Sequence, residues 1–155
     1  MIVCMGILIE KSGNLFHSAV DAIGQGINIE GVMGAGIAKT FASTYPEMLK
    51  EYVALCRQKK IQVGTAWVWR DSQSDDIVLN IASQDLRGKN ARIEWLESGV
   101  LDAISQLRAV EETRVIALPK IGCGIGGLEW DDVRLVLNQI AQTEDIDIEV
   151  WAFDF

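Results

Sequence analysis

Residues 31–38 read Gly-Val-Met-Gly-Ala-Gly-Ile-Ala, between the apolar segment 19–29 and a helical pattern that starts at Gly36. A second glycine-rich stretch, residues 122–127, reads Gly-Cys-Gly-Ile-Gly-Gly and follows the short apolar run 115–118. Glycines let backbone N–H groups crowd against a ligand, and a helix N-terminus adds partial positive charge. Both stretches lie where a strand gives way to a helical pattern. We therefore predict two loops that together hold one elongated, phosphate-bearing ligand.

Strands and helices alternate along most of the remaining sequence. Apolar patterns predict strands at residues 1–9, 19–29, 63–70, 77–82, 115–118 and 146–153, and a polar turn at 11–16. Helical spacing predicts a helix from Gly36, one with Pro46 in its first turn, one over 92–107, and one that carries Val133 to Ile140. This order predicts an α/β fold of three layers, α/β/α, around a mixed central sheet. In such sheets ligands collect at the carboxyl ends of the strands, where both glycine stretches fall.

Composition limits the classes of function. The chain has 155 residues, which suits one domain over residues 1–155, and its net charge of −8 disfavours nucleic acid and anionic membranes as partners. Its three cysteines show no CxxC spacing, and His17 is the only histidine, so we expect no metal site and no disulfide framework. We expect no cofactor either. Because no signal peptide is apparent, the cysteines also favour a cytoplasmic location.

The order and flanks of several motifs resemble those of macro domains, the ADP-ribose-binding fold. These motifs are Gly13-Asn14-Leu15-Phe16, the run from Asn28 through Ala38, the Tyr45-Pro46 step, and the run from Pro119 through Trp130. The sequence looks most similar to the branch of terminal ADP-ribose glycohydrolases, DNA ADP-ribosyl glycohydrolase antitoxins and ADP-ribose 1″-phosphate phosphatases. The resemblance implies that ADP-ribose or an ADP-ribosylated molecule is the partner.

The resemblance also implies a role for each part of the site. Asn14 and Leu15 would border the adenine, and Asn28 would face the distal ribose, where its amide could orient a water. The first loop would wrap the distal ribose and a phosphate, and the second would cover the pyrophosphate. The expected loop residues are Val32, Met33, Gly34, Ala35, Gly36 and Ile37, and Gly122, Cys123, Gly124, Ile125, Gly126 and Gly127.

The expected catalytic set is Asn28, Ser83 and Gln84, but it departs from the pattern of the family. The resemblance implies that glycohydrolases use a lysine where this chain has Gln84, and that one group uses an aspartate where it has Gly126. Ser83 fits the phosphatase pattern, whereas Gln25 stands where a phosphatase histidine would be expected. We therefore expect slow, substrate-assisted hydrolysis at the distal ribose of ADP-ribose 1″-phosphate or of an ADP-ribose conjugate.

Other interpretations remain open at the level of sequence. A module that binds ADP-ribose without turnover would also fit the missing lysine and aspartate. Cys123 could act as a nucleophile if a helix N-terminus lowered its pKa. The spacing of residues 122–127 also permits a Rossmann-type dinucleotide loop, although no acidic strand end follows it. DNA could still be a partner if it carries the ADP-ribose.

Overall fold

The computed structural model describes residues 5–153 and contains one six-stranded sheet between two layers of helices. The strands are β1 (Leu8–Gly13), β2 (Ala22–Ile27), β3 (Ala66–Arg70), β4 (Ile77–Ala82), β5 (Val115–Pro119) and β6 (Asp147–Phe153). The helices are α1 (Gly36–Thr44), α2 (Pro46–Arg57), α3 (Ile93–Arg108) and α4 (Trp130–Thr143), with a short 3-10 helix at Leu15–His17. The predicted mixed α/β/α architecture is confirmed.

The strand order β1-β6-β5-β2-β4-β3 places the carboxyl ends of five strands along one edge. In this spatial order β1, β6, β5, β2 and β4 are each parallel to their neighbours. Only the edge strand β3 is antiparallel, to β4. Parallel strands need covering helices on both faces. The loops that follow β5, β2 and β4 therefore meet the end of β6 at the same edge, and together they build the site described below.

The two faces of the sheet bury separate apolar clusters. Alternate residues of β4 show the division, because Leu79 and Ile81 pack with α3 and α4 whereas Val78 and Ala82 pack with α1 and α2. All six residues of β4 are buried, as expected for a strand covered on both sides. Among the described residues, no helix has the length and apolar character needed to cross a membrane.

One prediction for the N-terminal third is wrong, and another lies partly outside the described residues. The expected polar turn at residues 11–16 is instead the second half of β1 followed by the 3-10 helix. Lys11 belongs to β1, pairs with Glu149 of β6 at 3.2 Å and lies over the Trp151 ring. Polar residues are tolerated there because β1 is an edge strand. Of the strand predicted at 1–9, residues 8–9 belong to β1, residues 5–7 precede it, and residues 1–4 are not among those described.

Candidate functional site

A cavity of about 750 Å³ lies at the carboxyl ends of β6, β5, β2 and β4. Its volume is within the range that small-molecule sites occupy. It is lined by residues 26–28, 32–38, 83–84, 87–88, 119–126 and 151–152. Both predicted glycine loops and all three candidate catalytic residues therefore border one cavity.

The first glycine loop leads directly into α1, as predicted. Ala35 is the residue before the helix, and no side chain caps the helix N-terminus. Among the described residues, no hydrogen bond uses the amide of Gly34 or Ala35 as a donor. The first-turn amides of α1 also lack intrahelical acceptors, as at every helix start. A Cβ built on Gly34 would meet only a Val32 methyl, at 3.6 Å, so this part of the loop is open to the cavity.

The second glycine loop is a series of turns rather than a helix start. The Cys123 amide donates to Lys120 and the Leu128 amide donates to Gly122, at 3.1 and 2.9 Å. The expectation that this loop passes directly into a helix is wrong, because α4 begins only at Trp130. Its donors are main-chain amides held by turns, without a helix dipole behind them.

Three amides of the second loop are available to a ligand. Within the described part of the chain, those of Gly124, Ile125 and Gly126 donate to no protein acceptor. A Cβ on Gly124 would meet nothing within 4 Å, whereas one on Gly126 would lie 2.7 Å from the Gly122 carbonyl oxygen. A Cβ on Gly36 would lie 3.7 Å from the Ile125 side chain, so the two loops face each other across the cavity.

The side chain of Asn28 holds the start of the first loop in place. Its Oδ1 accepts from the amides of Glu30 and Val32, at 3.0 and 3.4 Å, and its Nδ2 donates to the Val32 carbonyl at 2.9 Å. The buried Tyr52 hydroxyl lies 2.8 Å from both the carbonyl oxygen and Oδ1 of Asn28. Oδ1 is therefore saturated, and one Nδ2 N–H remains for a ligand. Asn28 can orient a ligand or water as a donor, but its oxygen has no capacity left to accept.

Ser83 and Gln84 follow β4 and differ in what they offer. The Ser83 side chain is buried at 1% exposure, and its Oγ has no hydrogen-bond partner among the described residues. The Gln84 Nε2 donates to the carbonyls of Leu86 and Gly88, at 2.6 and 3.3 Å. Gln84 thus secures the loop after β4 with both of its N–H groups. The structure brings both residues to the cavity but gives Gln84 no free donor.

Cys123 is a poor candidate for a nucleophile. Burial raises the pKa of its thiol to about 11, and the nearby Lys120 charge lowers that pKa only in part. Its Sγ donates to the Ile121 carbonyl at 3.4 Å. The helix dipole that would have lowered the pKa is absent, because α4 starts seven residues later, at Trp130. The thiol is therefore protonated near neutral pH, and the structure does not support the nucleophile interpretation.

The Macro domain family model matches residues 25–137, which is more than half of the chain. This chain belongs to the macro domain family. The match begins in β2 and includes both glycine loops and Asn28. The family predicted from the two loops and their flanking residues is therefore confirmed.

Relatives of this macro domain include two kinds of hydrolase. A DNA ADP-ribosyl glycohydrolase of Thermus aquaticus is 28% identical over 144 residues, which is 92% of this chain but 39% of that protein. An ADP-ribose 1″-phosphate phosphatase of Lodderomyces elongisporus is 26% identical over 156 residues, covering 92% of this chain and 96% of that protein. The chain thus spans about two fifths of the glycohydrolase and nearly all of the phosphatase.

A solved structure, the macrodomain of Mycobacterium tuberculosis DarG, superimposes with a TM-score of 0.84 at 28% identity. The superposition covers 95% of this chain and 98% of that one. The superposition thus takes in nearly all of both chains. The architecture described above is therefore the macrodomain fold throughout.

Three predicted ligand residues do not line the cavity of this macro domain. The Asn14 side chain accepts from the Phe16 amide and so begins the 3-10 helix, and Leu15 is fully buried in the core. Both lie just beyond β1, where Gly13 pairs with Phe153 of β6, so they are at the Trp151 end of the cavity. The Gly127 amide is used within its turn, by the Gly124 carbonyl at 3.3 Å.

Trp151, Lys120 and Arg87 line the cavity and were missed at the level of sequence. Trp151 lies near the end of β6, where it offers an aromatic surface; its indole N–H donates to Glu149 at 3.0 Å. Lys120 and Arg87 bring two cations to a cavity that, among the described residues, has no carboxylate in its lining. The charged groups in the lining itself are thus cationic, although Arg87 pairs with Glu30 beside it at 3.1 Å, whereas the chain as a whole has a net charge of −8. That contrast suits a phosphate-bearing ligand.

Proposed function

We propose that this macro domain binds ADP-ribose and slowly hydrolyses a bond at its distal ribose. The observation that carries the proposal is the pair of facing loops whose unpaired amides border one cavity. A diphosphate needs several convergent N–H donors and no side chain in front of them. Gly34 and Gly124 meet the second condition, because a Cβ on Gly34 would meet only a Val32 methyl, at 3.6 Å, and one on Gly124 would meet nothing within 4 Å. The names of the relatives, all of which concern ADP-ribose or ADP-ribosyl groups, supply the identity of the ligand.

The strand order supports a direction for the ligand along the cavity. Trp151 lies at the β6 end, the two loops lie above β5 and β2, and Ser83 and Gln84 lie at the β4 end. We propose that the adenine stacks near Trp151, that the diphosphate lies between the loops, and that the distal ribose lies beside Asn28. Asn14 and Leu15 would then be near the adenine end, outside the cavity lining itself.

The proposed reaction consumes one water molecule and releases ADP-ribose and a leaving group such as inorganic phosphate. The described lining holds no Asp, Glu or His, and its one thiol is protonated. A proton acceptor must therefore come from the substrate or from water, while the free Nδ2 N–H of Asn28 fixes geometry. Positioning by itself can lower a barrier by several kcal/mol, so we expect slow turnover.

The test is calorimetry with ADP-ribose, followed by product analysis on ADP-ribose 1″-phosphate and on ADP-ribosylated DNA and protein. We expect micromolar affinity and release of ADP-ribose that falls at least tenfold in Asn28→Ala. The ADP-ribose affinity of the variant is measured alongside. An unchanged affinity indicates that only positioning is lost, whereas a weaker affinity indicates a disordered loop. Binding without turnover on any substrate would show a binding module instead. No binding of ADP-ribose would contradict the proposal.

We also propose a cytoplasmic location. Cys56 and Cys123 are free thiols in the described structure, as a reducing compartment would maintain them. Fractionation of cells that express the protein tests this. Recovery in a secreted or membrane fraction would contradict it.

A further inference from the structure

The β4 end of the cavity carries a cation that no part of the proposed reaction has used so far. Residues 87–92 contain three of the chain's 14 basic residues, Arg87, Lys89 and Arg92. The Arg92 guanidinium lies over the Trp95 ring at 4.7 Å, and Lys89 packs beside Gly127. Of these three residues only Arg87 lines the cavity. The basic segment therefore presents one cation to a ligand.

The backbone amide and Nε of Arg87 are hydrogen-bonded, whereas, within the described part of the chain, its two terminal nitrogens are not. Glu30 Oε2 accepts from both its backbone amide, at 2.8 Å, and its Nε, at 3.1 Å. Among the described residues, no hydrogen bond uses the two terminal nitrogens of the guanidinium. The Arg87 side chain is 66% exposed, so these nitrogens face solvent at the cavity mouth. A guanidinium anchored in this way offers a preorganised fork to a phosphate.

Several hydrogen bonds hold the loop that carries Arg87 in place. Gln84 ties two of its carbonyls, the Asn90 side chain donates to the Arg87 carbonyl at 2.7 Å, and the Ile29 amide donates to Asp85. These bonds join the loop to the segment after β2, next to Asn28. The position of Arg87 is therefore fixed relative to the proposed distal ribose.

We propose that Arg87 selects substrates that carry a phosphate on the leaving-group side of the distal ribose. The inference rests on the proposed function, because it uses the direction given there to the ligand. Arg87 lies beyond Asn28 when seen from Trp151, at the end where the substituent of the distal ribose would project. The unpartnered Ser83 hydroxyl lies at the same end but is buried. Free ADP-ribose carries only an uncharged hydroxyl at that place, so its binding should depend little on Arg87.

The same chemistry could come from two sources, a terminal 1″-phosphate or a phosphate of an ADP-ribosylated nucleic acid. The experiment measures displacement of a fluorescent ADP-ribose analogue by ADP-ribose, by ADP-ribose 1″-phosphate and by an ADP-ribosylated single-stranded oligonucleotide. The proteins are the wild type, Arg87→Gln, Arg87→Lys, and Lys89→Gln as a matched loss of one neighbouring charge. Chromatography confirms that the ligands stay intact during the measurement.

We expect Arg87→Gln to weaken at least one phosphate-bearing ligand about tenfold or more and to change ADP-ribose binding less than twofold. The ligand that loses affinity identifies the source of the phosphate. Arg87→Lys should recover only part of the loss, because a lysine keeps the charge but not the fork. Lys89→Gln should change all three ligands less than twofold.

An equal loss for all three ligands, or none in Arg87→Gln, would overturn this inference and leave the proposed function standing. The same loss in Lys89→Gln would also overturn it, because the effect would then be one of general charge. If the wild type failed to bind ADP-ribose at all, the proposed function would fall and this inference with it.

Discussion

Placing a carboxylate on the open side of a glycine loop should abolish ligand binding without harming the fold. Gly124 suits this perturbation because it is exposed, its built Cβ meets nothing within 4 Å, and it has no left-handed φ that a side chain would strain. In Gly124→Glu the new charge would lie about 5 Å from a bound diphosphate. At an effective dielectric constant of about 20, two unit charges at that distance repel by about 3 kcal/mol, or roughly a hundredfold in affinity.

Calorimetry with ADP-ribose measures this loss, and Gly124→Gln is the matched control of nearly equal size without the charge. The melting temperatures of both variants should stay within about 3 °C of the wild type, because exposed substitutions change stability little. Gly126→Ala supplies the contrast, since its Cβ would lie 2.7 Å from the Gly122 carbonyl oxygen and 2.8 Å from the Ala91 Cβ. We expect that variant to lose about 1–3 kcal/mol of stability.

The reasoning would be refuted if Gly124→Glu bound ADP-ribose as the wild type does. It would also be refuted if Gly124→Gln lost as much affinity as Gly124→Glu, because the charge would then have no part in the effect. Gly34→Glu on the facing loop should reproduce the result, since its Cβ would meet only a Val32 methyl, at 3.6 Å.

Further predictions concern the supports of the site. Tyr52→Phe should lower the free energy of unfolding by about 1–2 kcal/mol, measured by denaturant titration, because the Asn28 oxygens lose a buried donor; an unchanged midpoint would contradict this. Cys123→Ala should leave the pH profile of turnover unchanged between pH 5 and about pH 9. Because burial raises the pKa of the Cys123 thiol to about 11, the folded protein keeps a proton there that the unfolded chain has lost. Wild-type stability should therefore fall more steeply than that of Cys123→Ala as pH rises from about 9 to 11, by at most about 1.4 kcal/mol per pH unit, and parallel curves would contradict this. Trp151→Leu should weaken ADP-ribose about tenfold through lost base stacking but leave ribose 5-phosphate unaffected, and an equal effect on both would place the base elsewhere.

Local pattern was sufficient for the features that depend on neighbouring residues. The glycine loops, the helix start at Pro46 and the strand at residues 77–82 all follow from composition within a few residues, and the structure has each of them. The extension of β1 through Lys11 was missed because it depends on pairing with β6, about 140 residues away. An edge strand with polar residues has no local signature that separates it from a turn.

Some site residues were missed for the same reason, because they depend on contacts between distant parts of the chain. Trp151 and Arg87 become part of the cavity only through the strand order, which places the ends of β6 and β4 on either side of β5 and β2. No spacing in the sequence relates these two residues to the glycine loops. Likewise, the pattern at residues 122–127 could not show that the turns there end before α4 begins at Trp130.

The most direct test of the account is an amide NMR titration of the ¹⁵N-labelled protein with ADP-ribose. The central claim is that main-chain N–H groups of both glycine loops hold the diphosphate. We predict that the amides of Gly34, Ala35, Gly124, Ile125 and Gly126 show the largest saturable shifts and move downfield together at one affinity. Shifts confined to one loop, or centred on residues outside the cavity, would contradict the claim.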